Sequence, residues 1–206
     1  MTGERFAPRS PDDARRLVLD HPFAWVVSAG EGDFQASALP IRPVFGPAGE
    51  IEALIGHFAR ANPQVEFIRR HSRALILFLG PHGYVSPSWL TDRTQAPTWN
   101  YASAQFVVDI ALAEDPADLE ALLRDLVDAM EAERPNAWRL EDMGPRYQRL
   151  ARGIIGFRAD VRERRPRFKL GQDERPDVFR EILEGLSRDG RAELRAWMEA
   201  FESADR

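Results

Sequence analysis

The chain has 206 residues, a formal net charge of −5, 44% hydrophobic and 30% charged residues. These are values of a globular chain able to bury roughly 70% of the surface it exposes when unfolded. The absence of cysteine excludes disulfides, thiolate metal sites and cysteine nucleophiles. The acidic balance argues against a broad DNA-binding surface, since non-specific affinity comes mainly from phosphate neutralisation by Lys and Arg. No run reaches the ~20 apolar residues of a membrane span, and Met1 to Phe6 lack the apolar stretch of a signal peptide. No membrane partner and a cytoplasmic location are therefore expected.

Ser10-Pro11-Asp12-Asp13 predicts a helix start, with a serine cap, proline at the first helical position and acids on the positive dipole end; the helix runs to about Asp20. Short extended runs follow at Phe23 to Ser28, Phe34 to Arg42 and Ile51 to His57. Gly30-Glu31-Gly32-Asp33 and Gly46-Pro47-Ala48-Gly49 separate them, the pattern of an antiparallel meander. In the second run Gln35, Ser37, Leu39 and Ile41 share one face, and Pro40 marks an edge, bulge or strand end. Asn62-Pro63 opens a helix through about Arg70. Ala74 to Leu79 reads as a buried strand and Thr98 to Leu112 as a long one. From Asp115-Pro116 a helical stripe runs through Leu119, Leu122, Leu123, Leu126, Val127 and Met130. A last strand is expected at Ile154 to Val161, then two helices over about 176–203, within a single domain spanning 1–206. Their stripes, Val178 to Leu186 and Leu194 to Phe201, could cover this subunit or a partner. Short strands with inserted and appended helices predict an α+β domain on an antiparallel sheet.

Three places carry candidate chemistry. Gly80 to Trp89 and Pro97 to Tyr101 gather Ser86, Ser88, Thr98, Asn100, Trp89, Trp99 and two tyrosines, stiffened by prolines. Aromatic faces beside hydroxyls and an amide suit a planar polar ligand, although the same tryptophans could serve as core. Arg60, just ahead of the helix that Asn62 caps, offers a guanidinium beside unpaired N–H groups, a cradle for phosphate. Lys169 is the one lysine among 28 Lys and Arg residues, and a compact ammonium is not replaced by arginine at a tight anionic contact. It closes a basic run with Arg158, Arg162, Arg164, Arg165 and Arg167, read as a solvated turn more readily than as a nucleic-acid contact. The four histidines, His21, His57, His71 and His82, show no ligand spacing, so no metal site is expected. No serine elbow or dinucleotide fingerprint is present.

The block at 80–101, together with Gly56-His57-Phe58-Ala59-Arg60-Ala61-Asn62-Pro63-Gln64, Ser37-Ala38-Leu39-Pro40 and Phe168-Lys169-Leu170-Gly171-Gln172, closely resembles the PaiB-like proteins, described as FMN-binding negative transcriptional regulators. They are similar to the pyridoxamine 5'-phosphate oxidase-like split barrels. The resemblance implies an antiparallel split β-barrel, FMN as cofactor, a homodimer with FMN between subunits, and a phosphate role for Arg60. It also implies cofactor contacts from Ser37, Leu39, His57, Asn62, Ser86, Trp89, Thr98, Trp99, Asn100, Lys169 and Gln172. Gly171 and Asp173 stand where the family has serine and asparagine, and Leu90 where it has tyrosine. DNA remains a possible partner that the charge does not favour. A flavin-dependent oxidoreductase or oxidase is the competing function, and a haem-binding relative using His57 or His82 a third.

Overall fold

The computed structural model describes residues 4–30 and 32–203; Glu31, in the first expected turn, lies outside them. The elements in chain order are α1 (Pro11–Asp20), β1 (Phe23–Gly30), β2 (Asp33–Pro40), β3 (Arg42–Phe45), β4 (Ile51–Ala59), α2 (Pro63–Arg70), β5 (Arg73–Val85) and β6 (Thr98–Ala113). They continue with α3 (Pro116–Glu131), α4 (Arg146–Ala151), β7 (Ile154–Lys169), α5 (Pro176–Arg188) and α6 (Ala192–Ser203). The strands form one sheet in the order β2-β1-β5-β6-β7-β4-β3. The chain divides into two compact units, residues 21–78 with 105–164, and residues 1–20, 79–104 and 165–206.

In the first unit the outer strands β2 and β3 are joined by Ile41 alone. Six spacings of about 4.8 Å would hold the edges of a flat seven-stranded sheet roughly 29 Å apart, and a single linking residue spans about 8 Å at most. The sheet must curl, and it makes the antiparallel split barrel of an α+β fold. Ile41 is fully buried and its N–H donates to the Pro22 carbonyl at 2.7 Å. The interior holds Val26, Leu54, Phe58, Ile76, Phe106, Ile155 and Phe157. The rings of Phe58 and Phe157 lie 4.9 Å apart, and Phe78 meets Phe106 edge-on at 5.7 Å.

The second unit is organised around Phe168 at the end of β7. Its ring stacks on Trp197 at 6.2 Å and on Phe201 at 5.7 Å, both on α6. Arg16 of α1 covers Trp197 at 4.2 Å, and Arg9 covers Phe201 at 4.0 Å. The stripe of α6 is thus covered within its own chain.

Three strands depart most from the expected bounds. The run from Phe34 breaks at Ile41 because Pro40 has no N–H to continue the ladder. β5 continues past Leu79 to Val85, and β7 continues through the basic run to Lys169. The basic run is a strand and not a turn.

Candidate functional site

The barrel unit gathers one set of the candidates around the start of α2. Asn62 caps the helix, its Oδ1 accepting from the Gln64 N–H at 2.9 Å, and its Nδ2 donates to Ser37 Oγ at 2.8 Å. Cap and strand β2 are thereby tied together. Gln64, the last residue of the motif from Gly56 and given no role by the sequence, is 1% exposed; its Nε2 donates to Val26 O and Ser28 Oγ at 3.0 Å and to Gln35 O at 3.3 Å. Its Oε1 is buried with no partner among the described residues. Leu39 sits on β2 opposite Ala24. His57 lies on β4 opposite Gly156, half-buried, with Nδ1 unpartnered among the described residues, and burial lowers its pKa.

Arg60 points elsewhere. Its Nε donates to Arg152 O at 3.3 Å and its Nη2 to Ile154 O at 3.1 Å, and Nη1 lies 3.8 Å from Glu114. The guanidinium closes the carbonyl end of α4, and Arg69 holds the other oxygen of Glu114 at 2.6 Å.

In the second unit Lys169 Nζ donates to Thr98 Oγ1, bringing two candidates together. Gln172 is spent on its own turn: its Oε1 accepts from Leu170 N–H at 2.7 Å and its Nε2 donates to Phe168 O. Gly171 takes φ +88° in that turn, a conformation open to glycine and costly for residues with a Cβ. Ser86 Oγ caps the short turn Pro87–Trp89 by accepting from Ser88 N–H at 3.2 Å. Trp89 packs so tightly on α5 that a Cβ at Gly185 would lie 2.3 Å from its ring. Asn100 is 2% exposed and turns inward, its Nδ2 3.5 Å from Met198 Sδ. Trp99 is 51% exposed, with His82 stacked at 6.1 Å and Tyr84 at 6.3 Å. His82 Nδ1 faces the Gly80 carbonyl at 3.0 Å; a carbonyl only accepts, so Nδ1 is the donor of this contact.

Two surfaces of the barrel unit bear on partners. Phe23, Trp25 and Phe34 are 66%, 54% and 72% exposed. In register Phe23 stands opposite Pro40, Trp25 opposite Ala38 and Leu77, and Phe34 opposite Ala29, so the surroundings of these three residues on β2, β1 and β5 are apolar, with Arg73 at the end of β5 as the charged member of the face. The arginines of β7 are engaged: Arg158 with Asp160 and Glu52, Arg162 with Asp109, and Arg164 with Ile51 O. Asp109 also receives Arg73, and the two guanidinium groups hold its carboxyl below the usual range.

In the second unit, a half-buried ammonium beside a hydroxyl and an exposed aromatic face are what a flavin phosphate and an isoalloxazine ring require, so these residues fit FMN. The class is an FMN-binding split barrel. The chain belongs to the family described as "Putative FMN-binding domain", which it matches over residues 2–163, and FMN is its cofactor. It is 26% identical over 198 residues to the protease synthase and sporulation protein PAI 2 of Bacillus subtilis, covering 96% of this chain and 94% of that one. The fold resembles the flavocytochrome Anf3 of Azotobacter vinelandii (TM-score 0.61, 14% identity, 80% of this chain and 69% of that one). It also resembles the FAD and heme binding protein of Mycobacterium smegmatis (TM-score 0.60, 14% identity, 86% and 79%).

Proposed function

We propose that the protein works as a homodimer carrying FMN where the subunits meet. Lys169 is offered to the phosphate, Thr98 and Ser86 to the ribityl chain, and Trp99 to the ring. When bound, FMN supplies reversible two-electron chemistry; the chain's part is to bind, orient and exclude water. The carrying observation is the exposed apolar face of Phe23, Trp25 and Phe34, which a soluble chain leaves bare only where something covers it. Sedimentation should give about twice the 23.4 kDa chain mass. Trp25→Glu should yield a folded monomer that releases FMN. A wild-type monomer with tight FMN would end the reading.

The role proposed for this dimer is negative regulation of transcription, in line with the family resemblance and with the name of PAI 2, which refers to protease synthesis and sporulation. The engaged arginines of β7 favour regulation through the flavin or a protein partner over a basic DNA-reading surface. Gel-shift titration at physiological salt should show only weak, non-specific DNA binding; nanomolar, sequence-selective binding would refute that route. The exposed cluster of Trp99, His82 and Tyr84 supports a second reading, oxidation or reduction of a planar small molecule. Turnover of NADH or NADPH by the loaded protein tests it. Absorption near ~450 nm rather than ~400 nm separates flavin from haem, because the chromophore belongs to the cofactor.

A further inference from the structure

The barrel unit holds a cleft of about 510 Å³ between the first turns of α3 and helix α4, a size in the range of small-molecule sites. Its walls are unequal in hydrogen-bonding terms. The carboxylates are already engaged: Glu114 by Arg69 and Arg60, Asp115 by the Ala117 N–H that it caps at 2.8 Å, and Glu120 by Arg124 at 3.1 Å. Exposed Arg152 and Gln148 and half-buried Tyr147 line the same cleft, and their side chains make no hydrogen bond or ion pair among the described residues. Burial, with Glu120 nearby, raises the Tyr147 pKa, so its hydroxyl keeps its proton and remains a donor. Leu119, Ala113 and Ala151 supply an apolar floor. Unspent donors over an apolar base select an acceptor that carries negative charge and an apolar body.

We propose that this cleft is an effector site for a small amphipathic monocarboxylic acid, of the aryl or short-acyl class, separate from the residues offered to FMN. The carboxylate meets Arg152 with Gln148 and Tyr147 beside it, and the apolar body lies on Leu119 and Ala151. A ligand there bridges α3 and α4; Arg42 with Asp125 ties α3 to β3, and Arg60, at the end of β4, holds the Arg152 carbonyl that follows α4. An input of this kind gives a regulator something to sense, although the binding claim does not rest on the regulatory reading.

The test uses the FMN-loaded protein with benzoate as probe, followed by titration calorimetry, and with benzylamine and benzyl alcohol as charge controls. Benzoate should bind saturably with a dissociation constant of millimolar or tighter, and at least tenfold more tightly than either control. Arg152→Glu should weaken benzoate at least tenfold and Gln148→Leu several-fold, with flavin content and circular dichroism unchanged in both. Absence of saturable benzoate binding, or equal binding by wild type and both variants, overturns the site. Tighter binding of benzylamine than benzoate by wild type overturns the ligand class. Flavin content is read in the same samples, so failure of the FMN reading is seen separately.

Discussion

Replacing Gly185 with alanine tests whether Trp89 is held by α5 as the packing demands. The added Cβ would lie 2.3 Å from Cε3 and 2.4 Å from Cδ2 of the indole. An ordinary carbon contact is about 3.5 to 4.0 Å, so the ring or the helix must yield by roughly 1.2 to 1.7 Å. The ring is not free to yield alone, because two residues on, Thr91 is bound to Glu181 of the same helix through its N–H at 2.8 Å and its hydroxyl at 2.6 Å. Overpacking of this kind costs about 1 to 3 kcal/mol, against a gain of roughly 0.5 to 1 kcal/mol for alanine over glycine in a helix. The expected net loss is about 0 to 2.5 kcal/mol, read by urea unfolding monitored through tryptophan fluorescence. FMN affinity, titrated beside it, should fall as well if Trp89 helps to shape the pocket. A variant more stable than wild type, the usual result of Gly→Ala at an unobstructed helical site, would refute the packing argument.

Arg60→Ala removes the two bonds to Arg152 O and Ile154 O and should cost about 1 to 2 kcal/mol of stability in urea unfolding. FMN affinity should change little; a loss of about 1.5 to 3 kcal/mol in flavin titration would return Arg60 to the phosphate. Lys169→Met should weaken FMN about tenfold, and Lys169→Arg should recover only part of this, because a planar fork does not occupy the ammonium's position; equal affinity in all three proteins would remove Lys169 from the site. His57 has a folded pKa below its ordinary value of 6.5, so the unfolded chain takes up the proton first as pH falls. Its contribution is fully present above about pH 6.5 and is lost as pH drops through the folded value; His57→Phe should flatten that stretch of the stability profile, and an unchanged slope would count against it. Gln64→Leu strips the donors from Val26 O, Ser28 Oγ and Gln35 O and should destabilise by about 2 to 4 kcal/mol, whereas a neutral result in urea unfolding would mean that water replaces the amide.

What the sequence discloses and what it hides divides along the range of the interactions. Helix α2 begins and ends where Asn62-Pro63 and the residues after it predict, because a cap is settled within three residues. The break at Ile41 has only the hint of Pro40, since the barrel corner depends on strands far along the chain. Trp89 and Asn100 look available for a ligand until α5 and α6 arrive; Gly185 and Met198 decide their placement, and neither is near in sequence. The basic run reads as a solvated turn because its partners, Glu52, Asp109 and the Ile51 carbonyl, sit on strands β4 and β6. Gln64 closes a motif legible in the sequence, yet its role is hidden for the same reason: three segments must converge before its amide has acceptors.

The pairing of β4 with β7 bears on how the protein is made. Phe58 stands opposite Ile155 in that ladder, and close to a hundred residues of synthesis separate them. At about 5 to 20 residues per second, a ribosome leaves β4 without this partner for roughly 5 to 20 s. For that interval a strand rich in Ile, Leu and Phe has one bare edge, the condition under which chains associate with one another or with chaperones. Yield in a heterologous host should therefore respond to translation speed and chaperone supply more than the finished protein's stability would suggest.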